Sequence, residues 1–193
     1  MPSKTSKKSA IDKAAMQLFV SKGFAATTIK DIACMAGVTE GALYRHYAGK
    51  EALAQKLFET ELNNIAEQLL SAFNRQTEPA LKLRAAATTL YTIYHDRPWP
   101  LLFVILNFQT LKSGPLSPPQ NSLYDLIIKY SLELLPQAPQ SYARELLPTI
   151  FNGMLVQPVI YHYHGKLPRH PLAYVDEVTA NCCNLLGLPI QTP

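Results

Sequence analysis

The sequence predicts an all-α protein: a three-helix head carrying a helix-turn-helix, joined to a larger all-helical body. Three observations predict it. Apolar residues recur at helical spacing from Ile11 to Phe73, and no useful stretch alternates apolar with polar residues as a strand would. Of 15 prolines only Pro2 precedes residue 79, so the first 78 residues can hold unbroken helices while the remainder is punctuated. Charge is divided along the chain. Residues 1–56 hold nine Lys/Arg and four acidic side chains, a net of +5, whereas residues 57–193 net −1. A basic head on a near-neutral body suits a polyanion partner.

The 193 residues are 48% hydrophobic, enough for a real core, which excludes a wholly disordered chain. The longest apolar run, Leu101 to Leu106, is six residues, against the roughly 20 a membrane-spanning helix needs. The basic start runs into an amphipathic, charged segment from Ile11, which speaks against a secretory signal. Three cysteines, Cys34 and the adjacent Cys182 and Cys183, make no disulfide framework, so the chain reads as cytoplasmic.

Residues 1–8 are polar and basic and read as a disordered arm. Ile11, Ala14, Ala15, Leu18 and Phe19 mark one face of a first helix. Ser9 is placed to cap it, with Asp12 three residues on, and Gly23 to stop it. Thr28 opens a second helix with Asp31 three residues later and Ile29, Ile32, Ala33 and Ala36 inward. Gly37 is the residue able to turn left-handed at the sharp bend. Thr39 caps a third helix expected to run through Tyr47, and Gly49 ends it. A long fourth helix follows from Lys50 through Leu53, Leu57, Leu62, Ile65, Leu69 and Phe73. Further helices are expected at 79–95, 99–112, 121–135, 140–163 and 171–187, with Pro148 and Pro158 kinking or shifting the fourth of these. The segment 113–120 is a loop by composition.

Residues 28–47 are the informative stretch. Ile32, Val38, Leu43 and Tyr47 supply a small core between two short helices, and Ala33 permits their close approach. The second helix turns Thr39, Glu40, Gly41, Tyr44, Arg45 and His46 outward, groups able to meet base edges and phosphates in a major groove. A generic helical hairpin with a polar face is the other reading of the spacing alone.

From Ile11 to Leu53 the chain follows the pattern I-x-x-A-A-x-x-L-F-x-x-x-G-F-x-x-T-T-I-x-D-I-A-x-x-A-G-V-x-x-G-A-L-Y-x-H-Y-x-x-K-E-x-L without a gap. This run resembles the N-terminal domain of the tetracycline-repressor (TetR) family. It departs at Tyr47, where members usually carry Phe. The resemblance implies a DNA-binding domain over 1–50 and a helical ligand-binding and dimerisation domain over 51–193. It also implies a homodimer on a palindromic operator, most simply a repressor released when a small molecule binds the body. Carried over residue by residue, Thr28, Tyr44, His46 and Lys50 match phosphate contacts. Lys30, Thr39, Glu40, Gly41 and Arg45 match positions that face bases.

The body carries no motif of its own. The stretch from Trp99 to Lys112 is apolar nearly all round, as a helix buried on most sides would be. Tyr91, Trp99, Phe103, Asn107 and Tyr124 are the expected lining of a ligand pocket, apolar with a few polar groups; a plain tight core is the alternative. The sparse charge favours an uncharged or weakly polar ligand. Leu146, Ile150, Met154 and Ile160, with Val175, Val178, Cys182, Leu185 and Leu186, are the expected dimer seam. His162 and His164 lie two apart and point to different sides of a helix, so no metal site is expected, and no cofactor; an extended His-x-His able to chelate is the alternative if the helix ends there. The sequence lacks a GxSxG elbow, a phosphate-cradling glycine loop and an HExxH pair, so no enzyme is expected. The competing class is a helical ligand-binding protein or enzyme with a vestigial helix-turn-helix.

Overall fold

The computed structural model describes residues 6–112 and 146–189, and every regular element among them is helical. In chain order these are α1 (Lys7–Ser21), α2 (Ile29–Ala36), α3 (Glu40–Tyr44), α4 (Lys50–Asn74), α5 (Pro79–Asp96), α6 (Pro98–Lys112), α7 (Leu147–Tyr163), a 3-10 turn (Pro171–Tyr174) and α8 (Val175–Leu186). The expected helix at 121–135 lies outside the described residues. No described helix is long and apolar enough to cross a membrane.

The chain divides into two compact units. One holds α1 to α3, the first half of α4, and α6; the other holds the second half of α4, α5, α7, the 3-10 turn and α8.

In the first unit, α1 buries Ile11, Ala14, Ala15, Leu18 and Phe19, the face its spacing predicts. It begins earlier than expected. Ser6, not Ser9, is the cap, its hydroxyl accepting from the Ser9 amide at 3.1 Å, so Lys7 and Lys8 are helical rather than part of an arm. Asp12 is thereby freed from a capping role. α2 starts as its sequence says. Thr28 Oγ1 accepts from the Asp31 amide and the Asp31 carboxylate accepts from the Thr28 amide, a reciprocal box that satisfies two end donors. Gly37 takes the left-handed conformation, φ 65°, and the amide of Val38 closes back on the Ala33 carbonyl. α3 is shorter than expected. The amides of His46 and Tyr47 share the Leu43 carbonyl, which winds the chain into a turn and ends the helix at Tyr44. Ile32, Leu43 and Leu53 are wholly buried along these elements; a side chain of that kind contributes about 1.5–3 kcal/mol by leaving water. α6 belongs to this unit and packs on α1. The Phe103 ring stacks on Phe19 at 5.6 Å and meets Phe58 edge-on at 6.3 Å.

In the second unit, Pro79 opens α5, where its missing N–H costs nothing. Ala80, Leu83, Ala87, Leu90, Tyr91 and Tyr94 form its buried face, and α5 packs along α8. α7 buries Leu147, Phe151, Leu155 and Val159, a repeat of four. Pro148 falls in its first turn, and the helix continues through Pro158. The expected single helix at 171–187 opens instead as a 3-10 turn: His170 Nδ1 accepts from the Leu172 amide and Pro171 fixes the first position.

Three of the residues expected in the dimer seam, Val175, Cys182 and Leu186, belong to the core instead. Cys182 and Leu186 are buried within their own chain, in a core with Phe73, Leu83, Leu147 and Phe151, and Met154, Val178 and Leu185 pack against it. The stripe points inward because α8 must cover both α5 and α7. Of the predicted set only Leu146 is fully on the surface. The paired cysteines are small core residues. Burial pushes the Cys182 thiol up to about 12 and raises Cys183 as well, and Cys182 Sγ lies 3.6 Å from Met154 Sδ.

Candidate nucleic-acid interface

Eight of the nine predicted DNA-facing residues reach the surface of the head. Thr28, Lys30, Thr39, Glu40, Gly41, Tyr44, Arg45 and His46 are all exposed, Tyr44 by 54%. The two threonines serve the fold as well. Each hydroxyl oxygen accepts an amide of its own helix, Thr28 from Asp31 and Thr39 from Ala42. Each hydroxyl proton stays available to an outside acceptor such as a phosphate oxygen. Arg45 Nε leans on the Gly41 carbonyl at 3.4 Å, a long contact that leaves most of its fork free. A Cβ at Gly41 would meet nothing within 4 Å. The fold does not require that glycine; the bare backbone leaves room on the outer face of α3.

Lys50 differs. It is half-buried, and its ammonium donates to the carbonyls of Phe24 and Thr27, both at 3.0 Å, and of Ala25 at 3.4 Å. It also lies 4.6 Å from the centre of the Phe24 ring.

Three supports of the head escape the sequence reading. Tyr47, buried among the motif helices, donates its hydroxyl to Asp12 Oδ1 at 2.5 Å, and Lys8 holds the other carboxylate oxygen at 2.8 Å. That ion pair raises the Lys8 pKa, and desolvation followed by the Asp12 bond raises that of Tyr47. Lys22 pairs with Asp31 at 2.6 Å and ties the end of α1 to the start of α2. Lys22 first, then the Thr28 amide, hold the Asp31 carboxyl down at about 2. Thr27 is buried, its hydroxyl bound to the Gly23 carbonyl at 2.7 Å. Of these, the sequence signals only the place of Asp31, through its three-residue spacing from Thr28. Cys34, expected to be partly buried, is exposed, because Ile32 and Ala33 take the inner face of α2.

The expected ligand-lining residues fall in different places. Tyr91 is in the second unit, wholly buried, its hydroxyl without a partner among the described residues. Burial raises its pKa. Trp99, Phe103 and Asn107 are in the first unit, where the Asn107 amide donates to the Phe103 carbonyl at 3.0 Å. Tyr124 lies outside the described residues. The second unit also has a shallow groove of about 310 Å³ that the sequence did not indicate, bounded by Arg75, Gln76, Arg84, Thr88 and Thr89. Arg84 there is paired with Asp176.

Comparison with known proteins agrees with the geometry of the head. Residues 11–57 match the family model of bacterial regulatory proteins, tetR family. The HTH-type transcriptional repressor KstR2 of Rhodococcus jostii is 30% identical over 82 residues, 42% of this chain and 38% of that protein. Matches to the first curated relatives span 24% to 38% of their length. The solved structure of the ketosteroid transcriptional regulator KstR2 of Mycobacterium tuberculosis shares the fold with a TM-score of 0.74 at 18% identity, over 96% of this chain and 95% of that one. The transcriptional regulator FadR of Bacillus subtilis, solved in complex with stearoyl-CoA, does so with a TM-score of 0.68 at 15% identity, over 93% and 98%. The motif run and its left-handed turn agree with that match: residues 11–57 form a head similar to the one described by the family model of bacterial regulatory proteins, tetR family, and the rest of the chain shares an all-helical fold with such regulators.

Proposed function

We propose that the protein is a ligand-responsive repressor that binds a palindromic operator as a homodimer, with residues 1–50 reading DNA and residues 51–193 holding the effector and the dimer contact. The observation that carries this reading is the outer face of the motif. Eight polar or small residues stand exposed there, and the fold engages them lightly. Thr28, Tyr44 and His46 are suited to phosphate oxygens. Arg45 is suited to a guanine edge, Glu40 to a cytosine amino group, and Lys30, Thr39 and Gly41 to neighbouring bases. Repression is supported by the KstR2 relative, itself a repressor.

The effector reading is supported by the apolar make-up of the body and by the fold shared with a FadR that holds stearoyl-CoA. Long-chain acyl-CoA is therefore the first probe. Selection of bound duplexes from a random pool tests the DNA reading. The expected site is two-fold symmetric, with half-sites about one helical turn apart, roughly 34–36 Å. A single asymmetric half-site filled by a monomer at saturating protein would overturn it. Acyl-CoA that leaves the operator complex intact at all concentrations removes that effector class.

A further inference from the structure

We propose that the Tyr91 hydroxyl is the polar anchor of the effector site and selects a ligand whose apolar body carries a neutral carbonyl oxygen, an assignment that rests on the effector reading above and narrows its ligand class. Three tyrosines are buried among the described residues. The hydroxyl of Tyr47 bonds Asp12, and that of Tyr94 meets His162 Nδ1 at 3.0 Å. Tyr91, wholly buried on α5, is the one whose hydroxyl has no partner among the described residues. Buried hydroxyls are almost always paired, because an unmatched one forfeits its bonds to water with nothing in return. A phenylalanine would fill the same space without that cost.

The surroundings of the hydroxyl decide what can pair with it. Thr27, Glu61 and Asn107, the buried polar or charged side chains among the described residues, all belong to the first unit. Tyr91 sits in the second, where the Cys182 thiol acts on it, and Cys182 itself lies 3.6 Å from Met154 Sδ. Sulfur is a weak acceptor. Burial first, then Cys182, raises the Tyr91 pKa, and burial holds the Cys182 thiol up at about 12, so both keep their protons at neutral pH. The hydroxyl is therefore a neutral donor in an apolar shell. An ionised group brought to it would be buried without a counter-charge, and an ordered water would lack the several polar partners it needs. A carbonyl oxygen supplies the missing acceptor and buries no charge. Any charge elsewhere on the ligand has to stay outside this core. Met154, unbranched and only partly buried against the same core, is the side chain able to move aside for an apolar chain.

The test uses the full-length protein, its Tyr91→Phe variant and two matched pairs of probes. Stearoyl-CoA is set against octadecyl-CoA, the thioether that lacks the carbonyl oxygen, and methyl undecyl ketone is set against tridecane. In at least one pair the parent should bind the carbonyl compound about tenfold more tightly, and Tyr91→Phe should bind both members equally. A parent with no preference in either pair, or a variant that keeps the parent's preference, overturns the proposal. Without ligand, Tyr91→Phe should unfold at the parent's temperature or above it. A clearly lower temperature, or a variant that does not fold, means that the hydroxyl already has a partner inside the free protein, and also overturns the proposal. Binding that ignores the carbonyl defeats this proposal alone and leaves the effector reading intact. Operator complexes that none of the four compounds binds or releases defeat the effector reading itself, and the proposal falls with it.

Discussion

Arg45 and Asp31, one exposed and one half-buried, show how differently two charges of the head are employed. Arg45 is held by one long contact to Gly41, so its removal should leave the fold intact and change only what the protein reads. Arg45→Ala is expected to cost roughly 1–3 kcal/mol per half-site and to relax preference at one base position, measured by binding to a randomised site. Asp31 binds inward, to Lys22 and to the Thr28 amide, and its pKa is lowered from 3.8 to about 2. A carboxyl depressed by folding stabilises above its unfolded value, and the contribution is lost as pH falls through the folded one. Thermal unfolding should therefore show the head losing stability between pH 3.8 and about 2. Asp31→Asn should lack that part of the acid response and be less stable at neutral pH. The role of Asp31 was legible because a capping box has a fixed three-residue spacing. The partner of Tyr47 was not, since Asp12 lies 35 residues away in sequence and only the folded head brings the two together.

Elements were legible where proline and glycine mark their ends. The gap expected between 95 and 99 separates α5 from α6 at Arg97, and Gly37 turns where expected. Ends set by a less usual capping side chain were missed, and the 3-10 turn before α8 is the clearest case. Its cap is His170 Nδ1, which accepts the Leu172 amide and must carry no proton to do so. The His170 ring stacks on Tyr94 at 5.2 Å and lies 5.1 Å from the rings of both His95 and His162, while His162 Nδ1 bonds the Tyr94 hydroxyl. Burial first, then His162 and His95, lower the His170 pKa below its usual 6.5. The unfolded chain thus takes up a proton at a higher pH than the folded one. Stability is undiminished above pH 6.5 and falls below it, until the folded ring also protonates. Proton uptake at Nδ1 also breaks the cap. Protection of the Leu172 and Ala173 amides against exchange, taken relative to the intrinsic rate at each pH, should fall as pH drops below 6.5. His170→Asn, which can accept the same amide without titrating, should flatten that dependence. Equal pH dependence in the variant would show that the cluster does not govern the turn.

Across the whole molecule, charge and connectivity were readable while the partners of the apolar faces were not. The body's stripes carry the same hydrophobic signature whether they meet their own chain or a second copy, which is why Cys182 and Leu186 read as seam and are core. The connection itself is plain in both sequence and structure. α4 runs from Lys50 to Asn74 without Gly or Pro and passes from one compact unit into the other. Its 25 residues span about 37 Å at 1.5 Å each. A continuous helix of that kind can carry a movement in the body to the head. An effector that favours the DNA-free state about 100-fold moves the equilibrium by roughly 2.7 kcal/mol, and it does so only if the two ends remain coupled. Asn63 and Asn64 sit just past the division, exposed and half-buried, between the buried Leu62 and Ile65. Replacing both with glycine costs under about 1 kcal/mol of helix propensity and leaves the apolar face intact. Asn63→Gly with Asn64→Gly should still bind operator and effector with nearly parental affinity, yet effector should no longer displace it from DNA. Titrating effector into operator complexes of parent and variant measures this directly. A variant released as readily as its parent would mean that the signal reaches the head by a route other than the rigidity of α4.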